Sequence, residues 1–338
     1  MLKNIKDLTL DELILYFESL GYKKFNAKQC FKWLSVGATS FDEMTDLKKE
    51  LRNKLRDDFF ISNPQIVRKQ VSQDKTVKYL FENADKTLIE TVIMEYKHGL
   101  CACLSTQVGC NMGCKFCASS IGGKVRNLTA GEISDQIILS SKDLNKRISN
   151  VVLMGMGEPL DNYKEIVRFL KNVGNENGLN LSYRHITVST CGLCDKINAL
   201  ANEGFPVTLS VSLHAANDEK RNKIMPVNRK YNIAALKESL TNYILKTKRR
   251  ITIEYTLIKD FNDSLKDVRE LAEFSKGLLS HVNLIQVNPV TEAGFKKSDN
   301  LKRFFEQLTK LGVNATIRRS LGSDIDAACG QLRNKEIR

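Results

Sequence analysis

Hydrophobic and polar positions follow three successive patterns along the chain. In the first 60 residues, apolar side chains recur three or four positions apart, as Leu13 and Phe17 do behind the capping pair Thr9 and Glu12. This spacing predicts helices. Further helices are predicted over 27–34 and 40–55. Between residues 65 and 95, apolar and polar residues alternate, which predicts a few antiparallel strands.

From about Gly99 onwards, short apolar segments alternate with helical patterns. Six segments are predicted as strands: 101–106, 151–154, 186–189, 207–213, 251–258 and 282–287. Helices are predicted between and after them: 130–139, 163–173, 194–201, 233–245, 265–274 and 300–311. Six strand–helix repeats favour an α/β fold with a parallel sheet and crossover helices. A parallel barrel and an open doubly wound sheet both satisfy this pattern.

Polar residues cluster directly after the predicted strands. They are the cysteine-containing loop after the first strand, Gly157-Glu158, Ser189-Thr190, Ser212-Leu213-His214 and Asn288. Because the carboxyl ends of parallel strands meet at one edge of a sheet or barrel, these residues are expected to lie close together. The sequence therefore predicts a functional site at that edge.

Charge is distributed unevenly over the 338 residues. Residues 1–95 carry 16 Lys and Arg against 15 Asp and Glu, and the remainder carries 36 against 24, so most of the net charge of +13 lies in the C-terminal part. A basic domain favours a polyanionic partner such as a nucleic-acid backbone, although a solubilising surface explains the same charge. Candidate phosphate contacts are the clusters 220–223, 229–230, 246–250, 296–297 and 318–319.

The N-terminus lacks the apolar core and the small-residue cleavage site of a signal peptide. The longest apolar runs, such as 251–258, are too short to span a bilayer. A cytoplasmic protein with no membrane partner is therefore expected. The nine cysteines are odd in number, so metal binding or redox chemistry explains the clustered ones better than a disulfide framework does.

Three cysteines stand at C-x3-C-x2-C spacing on one short loop: Cys110, Cys114 and Cys117. Thiolates select iron–sulfur clusters or zinc. Three ligands on a four-iron cluster leave one iron open. An open iron can bind the amino and carboxylate groups of S-adenosylmethionine (SAM) and cleave its sulfonium bond to a carbon radical. A zinc site completed by Cys101 or Cys103 is the alternative.

With the aromatic Phe116 before the last cysteine, this spacing resembles the radical SAM superfamily. The resemblance implies a [4Fe-4S] cluster held by the three cysteines, with SAM bound in the strand-end loops. Gly157 and Glu158 match the Gly-Glu element that holds the methionine end of SAM. The other implied SAM contacts are Ser189, Ser212, Leu213, His214 and Asn288.

Seven longer stretches extend the resemblance over nearly the whole chain, to the RlmN-type RNA methyltransferases, the sister family of the Cfr type. They are 41–46, 105–110, 126–129, 155–160, 212–215, 225–228 and 324–332. The resemblance implies a monomer with a partial (β/α)6 radical SAM barrel over 99–338, an N-terminal helical RNA-binding domain over 1–60 and a small β extension over 61–98. It also implies methylation of adenine C2 in 23S ribosomal RNA and, next to the anticodon, in tRNA.

Adenine C2 is electron-poor, so simple displacement on SAM cannot methylate it, and a radical route needs a separate methyl carrier. The family pattern implies that Cys329 takes a methyl group from one SAM, and that a radical from a second SAM activates this group for addition to C2. Glu90, within an apolar strand, is the implied base for the C2 proton. Cys103 then forms a disulfide with Cys329 and releases the RNA. A flavodoxin or ferredoxin as electron donor and a thiol reductant are the implied partners.

Two alternatives stay open at the level of sequence. A Cfr-type enzyme would methylate adenine C8 of 23S rRNA and confer ribosomal antibiotic resistance. A zinc-stabilised RNA-binding protein would not be an enzyme. Cys191 and Cys194 form a C-x2-C pair without an assigned role, and two incidental semi-buried thiols are favoured over an accessory redox pair.

Overall fold

The computed structural model describes residues 2–288 and 294–332. The strands within these residues are β1 (Lys3–Asn4), β2 (Phe59–Phe60), β3 (Gln65–Val71), β4 (Val77–Glu82), β5 (Leu88–Tyr96), β6 (Gly99–Cys103), β7 (Gln107–Gly109), β8 (Lys124–Asn127), β9 (Ile148–Leu153), β10 (Ile186–Thr190), β11 (Thr208–Ser212), β12 (Ile251–Leu257), β13 (Ser280–Gln286) and β14 (Ala315–Ile317). Ten of these strands form one mixed sheet, in the spatial order β14-β13-β12-β11-β10-β9-β6-β5-β4-β3.

The helices described are α1 (Leu10–Ser19), α2 (Lys24–Ser35), α3 (Lys49–Asp58), α4 (Ala130–Leu144), α5 (Tyr163–Val173), α6 (Cys194–Asn202), α7 (Asp218–Ile224), α8 (Ile233–Thr247), α9 (Leu265–Ser275) and α10 (Leu301–Lys310). The six predicted strand–helix repeats are confirmed, with ends that shift by a few residues. Helix α7 and the short strands β1, β2, β7, β8 and β14 were not predicted. Within the described part of the chain, no helix combines the length and the apolar character that crossing a bilayer requires.

The prediction of one helix over 40–55 is wrong. Ser40 and Glu43 do form a capping box, but it opens a 3-10 turn of three residues, Phe41–Glu43, and α3 begins only at Lys49. Met44 and Leu47 lie between the two and are buried in the N-terminal core. Their burial outweighs the local preference for a continuous helix, because packing routinely overrides helix propensity.

The parallel part of the sheet is strongly curled. Met154 directly follows β9 and Arg318 directly follows β14, and five strand-to-strand steps separate these strands. A flat sheet would hold the two residues about 24 Å apart, yet Arg318 Nη1 lies 3.6 Å from Met154 Sδ. The strands therefore form a partial barrel rather than an open doubly wound sheet, and their carboxyl ends converge.

The antiparallel strands β3 to β5 continue the same sheet beyond the barrel. β5 pairs with the first barrel strand β6, so that Val92 stands opposite Cys103. β4 pairs with β5 in turn, with Lys78 opposite Val92. Because opposite residues of an antiparallel pair point to the same face, Lys78, Val92 and Cys103 form a row across three strands.

Helices α1 to α3 enclose a separate apolar core and dock on the barrel through polar contacts. The core contains Leu13 and Phe17 of α1, which follow the confirmed Thr9–Glu12 capping box. At the junction, Lys6 Nζ lies 2.5 Å from a carboxylate oxygen of Asp135 on α4, and both side chains are almost fully buried. The junction therefore contains a buried ion pair. Replacing either partner by a neutral residue would leave the charge of the other partner buried and uncompensated.

Candidate active site

A cleft of about 1000 Å³ lies where the parallel strands end. A smaller pocket of about 550 Å³ adjoins it. The cleft is lined by these sequence-predicted residues: Cys110, Cys114, Cys117, Gly157, Glu158, Ser189, Ser212, His214, Asn288 and Cys329. Cys103 lines the adjoining pocket, together with Asn288 and Cys329. The structure thus brings these residues together at one edge of the barrel.

The cysteine loop presents three thiols to the cleft. Backbone hydrogen bonds from Cys110 to Gly123 and from Cys117 to Cys114 fold the loop back on itself. Burial raises the pKa of Cys110 to about 12 and also raises the pKa values of Cys114 and Cys117. The charges of neighbouring thiolates add to the rise at Cys110 and Cys114. Three sulfurs that repel one another ionise together only with positive charge among them, which a metal centre supplies.

The donor set fits an iron–sulfur cluster better than a single ion. Three thiols on one short loop line the cleft, which suits a cluster on which each thiolate binds its own iron. Cys101, considered above as a fourth zinc ligand, lines neither the cleft nor the adjoining pocket. The loop therefore suits a centre with three thiolate ligands and one open position.

Gly157 and Glu158 lie in the loop that follows β9. Gly157 has φ +102°, and a Cβ there would come within 2.8 Å of the Gln107 backbone nitrogen, so a side chain is excluded. The buried Glu158 carboxylate accepts hydrogen bonds from the backbone N–H groups of Leu160, at 3.0 Å, and Cys191, at 2.7 Å. Burial raises the pKa of Glu158, and these two bonds oppose the rise. A carboxylate has about four acceptor positions, so Glu158 is chemically able to accept from an ammonium donor as well.

The ends of β10 and β11 contribute the next polar groups. Ser189, Ser212 and His214 line the cleft. The Thr256 backbone N–H donates to His214 Nδ1 at 3.0 Å, and burial lowers the pKa of His214 to about 3. The ring is therefore neutral and carries its proton on Nε2. Leu213 is fully buried, and it is not among the residues that line the cleft.

Cys329 lies between the cleft and the adjoining pocket and lines both. Asn288 Nδ2 donates to the Cys329 carbonyl oxygen at 2.9 Å, so Asn288 positions this residue. Burial raises the pKa of Cys103 to about 12, and the charge of Cys329 adds to the shift. Cys329 is itself exposed to the cleft; desolvation by the surrounding walls raises the pKa of its thiol, while the Arg318 guanidinium opposes the rise. Both thiols are free, as are the other cysteines within the described residues.

Residues 322–332, here called the Cys329 segment, are held on two sides. On one side, Ser72 Oγ in the turn between β3 and β4 donates to Asp324 Oδ1 at 2.6 Å. On the other side, the Ala118 backbone N–H after the cysteine loop donates to the Gly330 carbonyl at 2.8 Å. The segment thereby bridges the antiparallel extension and the cysteine loop, which fixes Cys329 between them.

Glu90 lies on β5, close to the adjoining pocket but not among its lining residues. Glu90 and Val92 share one face of β5, because side chains alternate along a strand. Since Val92 stands opposite Cys103, Glu90 lies on the same face of the sheet as Cys103. Glu90 Oε1 lies 3.2 Å from Lys78 Nζ, and the two side chains are only 8% and 9% exposed. Lys78 therefore compensates the buried carboxylate charge.

Two charged residues line the cleft although the sequence did not predict them there: Glu254 was not singled out, and Arg318 was predicted only as a phosphate contact. Glu254 on β12 accepts hydrogen bonds from Ser210, at 2.9 Å, and Asn283, at 3.0 Å. Arg318 Nη1 lies 3.6 Å from Glu254 Oε2, and both residues line the cleft. A single carboxylate within the apolar run 251–258 was a signal that could have identified Glu254.

The basic clusters do not all face outwards. Arg221, predicted among the phosphate contacts, is fully buried and donates to the carbonyl oxygens of Leu213, at 3.1 Å, and Cys191, at 2.7 Å. That prediction is wrong for Arg221, because a guanidinium already bonded inside the protein cannot reach a phosphate. Arg318 likewise lies in the cleft, as described above. The pair Cys191 and Cys194 is buried rather than semi-buried.

Comparison with known proteins identifies the family. A model of the radical SAM superfamily matches residues 104–274, and a model of the ribosomal RNA large subunit methyltransferase N-terminal domain matches residues 3–61. A probable dual-specificity RNA methyltransferase RlmN of Alkaliphilus oremlandii is 52% identical over 99% of this chain and 98% of its own length. This chain belongs to the RlmN family. The RlmN protein of Caldanaerobacter subterraneus is also 52% identical, over 99% of both chains.

The structural comparison agrees with this RlmN family assignment. The crystal structure of a radical SAM methyltransferase from Sphaerobacter thermophilus matches with a TM-score of 0.93 and 42% identity, covering 98% of this chain and 99% of that one. The predicted radical SAM fold and the prediction of an enzyme are confirmed. Radical SAM enzymes use a [4Fe-4S] cluster and SAM, so these cofactors are confirmed with the family. A zinc-stabilised protein without catalysis does not fit this family.

Proposed function

We propose that this RlmN-family enzyme methylates adenine C2 in 23S rRNA and tRNA, with Cys329 as an intermediate methyl carrier. The observation that carries the proposal is the position of Cys329, which lines both the cleft of the cysteine loop and the pocket of Cys103. A carrier thiol needs access to a methyl donor on one side and to a resolving thiol on the other. Direct displacement on RNA would require neither cysteine.

The cleft residues divide into two groups by the ligand they would hold. Cys110, Cys114 and Cys117 would hold the cluster. Bound in this cleft, two SAM molecules per turnover would supply the methyl group and, with the cluster, a carbon radical. Glu158 is placed to accept hydrogen bonds from an ammonium group, and neutral His214 offers its Nε2 proton to an acceptor. The SAM contacts proposed in addition are Gly157, Ser189, Ser212 and Asn288, which line the cleft; the expected contact from Leu213 is not kept, because Leu213 is fully buried and does not line the cleft.

Three residues of this chain would handle the covalent chemistry. Cys329 would carry the methyl group as a thioether and become linked to C2 of the adenine. Glu90 would accept the C2 proton, for which its place on the Cys103 face of the sheet is suited. Cys103, losing its proton, would then attack the Cys329 sulfur; an S–S bond forms, the bond from that sulfur to the methylene carbon breaks, and the carbon keeps the electron pair and takes up a proton as the methyl group of the released base. A thiol reductant would reopen the disulfide before the next turnover.

The remaining partners follow from charge and chemistry. Residues 96–338 carry 36 Lys and Arg against 24 Asp and Glu, which favours an RNA backbone as binding partner. We propose the helical unit over 1–60 as an accessory RNA-binding domain, followed by the β extension over 61–98 and the barrel over 99–338. Reductive chemistry on SAM requires an electron donor such as flavodoxin or ferredoxin. We propose a monomer that acts in the cytoplasm, where reduced thiols are maintained.

The proposal is tested by the nucleosides that the enzyme makes. Cluster-loaded protein is incubated without oxygen with SAM, a reductant and unmodified 23S rRNA or tRNA. The RNA is digested, and its nucleosides are separated by chromatography alongside 2-methyladenosine and 8-methyladenosine standards and identified by mass spectrometry. We expect 2-methyladenosine from both RNAs. 8-Methyladenosine would assign the Cfr-type reaction instead, and the absence of any methyladenosine from active, SAM-cleaving enzyme would overturn the proposal.

A further inference from the structure

Lys78 connects two parts of the site that lie far apart in the sequence. Its Nζ lies 3.2 Å from Glu90 Oε1 and donates to the Asp326 carbonyl oxygen at 3.3 Å. Asp326 belongs to the Cys329 segment, three residues before Cys329. One buried ammonium group therefore contacts both the proposed base and the segment that would carry the methyl group.

The sheet register adds the resolving cysteine to this arrangement. Lys78 stands opposite Val92, and Val92 stands opposite Cys103. Val92 and Cys103 both line the pocket that Cys329 also lines. Lys78, Glu90 and Cys103 therefore share the face of the sheet against which the Cys329 segment packs.

The energetics of burial indicate what Lys78 does there. A buried ammonium group is costly unless it is paired and hydrogen-bonded. The ammonium group has three donors, which suits a position between a carboxylate and a carbonyl. A cation beside a buried carboxylate favours its ionised form, which is the form that can accept a proton, and Lys78 supplies such a cation to Glu90.

We propose that Lys78 is a positioning residue that holds Glu90 as a carboxylate and aligns it with the seated Cys329 segment. The inference rests on the proposed function. In the step concerned, the adenine linked to Cys329 would first return its unpaired electron to the oxidised cluster; its C2–H bond then breaks with the electron pair staying on the ring, while an O–H bond forms on Glu90. Lys78 keeps its proton throughout and acts through Glu90 rather than on the RNA.

The test compares Lys78→Met with the wild type at two stages. Methyl loading of Cys329 does not use Glu90, so the mass of the Cys329 peptide should show the same methylated fraction in both proteins. Product formation should fall about 100-fold or more, the range for loss of a general base. The covalent enzyme–RNA species should accumulate on denaturing gels. Lys78→Arg should recover most of the rate, because it restores a cation.

Two further variants keep the test decisive. Lys69→Met removes another lysine–carboxylate pair made by a lysine of β3 or β4, Lys69 on β3 with Asp143 on α4 at 2.5 Å, and should leave product formation unchanged. In a Glu90→Gln background, adding Lys78→Met should lower the rate little further, because residues that act as one unit are non-additive.

Several results would overturn the inference. They are a wild-type rate in Lys78→Met, additive losses in the double variant, or loss of Cys329 methylation in Lys78→Met alone. If Lys78→Met does not fold, a low rate in Lys78→Arg, with Cys329 methylated but no accumulated RNA adduct, would also overturn it. A wild-type enzyme without methyl on Cys329 would instead contradict the proposed function itself, so the two failures are distinguishable.

Discussion

Replacement of Cys329 by alanine is expected to abolish RNA methylation, with a loss of at least about a thousand-fold. Alanine offers no nucleophile to carry the methyl group. The segment should remain in place, because Asn288 bonds to the Cys329 carbonyl oxygen rather than to its sulfur. The measurement is transfer of labelled methyl from SAM to RNA, together with the iron content of the variant, which should stay unchanged.

Cys101→Ala provides the control for this loss. Cys101 is a buried thiol two residues from Cys103 and lines neither the cleft nor the adjoining pocket. Its variant should therefore keep nearly the wild-type rate. If RNA methylation survived in Cys329→Ala, the methyl group would have to reach RNA by a route that bypasses this cysteine.

Alanine at any one of Cys110, Cys114 and Cys117 is expected to remove most of the iron and sulfide and all reductive cleavage of SAM. Two thiolates hold a four-iron cluster poorly, and the thiolates that remain lose the positive charge that keeps them ionised in a buried site. RNA methylation should then fall to background. The measurements are iron and sulfide per chain after oxygen-free reconstitution, and the yield of 5′-deoxyadenosine.

Cys191→Ala is the sharpest control for the cysteine loop. Cys191 is another buried thiol that lines the same cleft, and burial holds its pKa well above the ordinary value. If the three loop cysteines are the ligands, Cys191→Ala keeps its iron. The ligand assignment is refuted if Cys191→Ala loses the cluster while one of the three loop variants retains a full complement of iron.

Local sequence patterns predict much of this site because the fold is built from repeated strand–helix units. The positions of Glu158, Ser189 and His214 follow from one rule, that parallel strands end at the same edge. The spacing of the loop cysteines identifies the donor set on a single short segment. Predicting these features requires only residues that are close together in the sequence and the common direction of the parallel strands.

The features that escaped prediction depend on contacts between distant parts of the chain. Arg318 reaches Met154 and Glu254 only because the sheet curls, and no local pattern gives the degree of curling. Lys78 contacts Glu90 only in one register of β4 on β5. The interruption of the predicted helix at Met44 likewise results from packing of this side chain in the N-terminal core, which local helix propensity does not predict.

The central claim is that the Cys329 thiol carries the methyl group on its way to RNA. Its most direct measurement is the mass of the peptide containing Cys329, taken from cluster-loaded enzyme supplied with SAM and a reductant in the absence of RNA. The account predicts one additional methyl group on that sulfur, which disappears when unmodified RNA is added. An unmodified Cys329 in enzyme that nevertheless methylates RNA would contradict it.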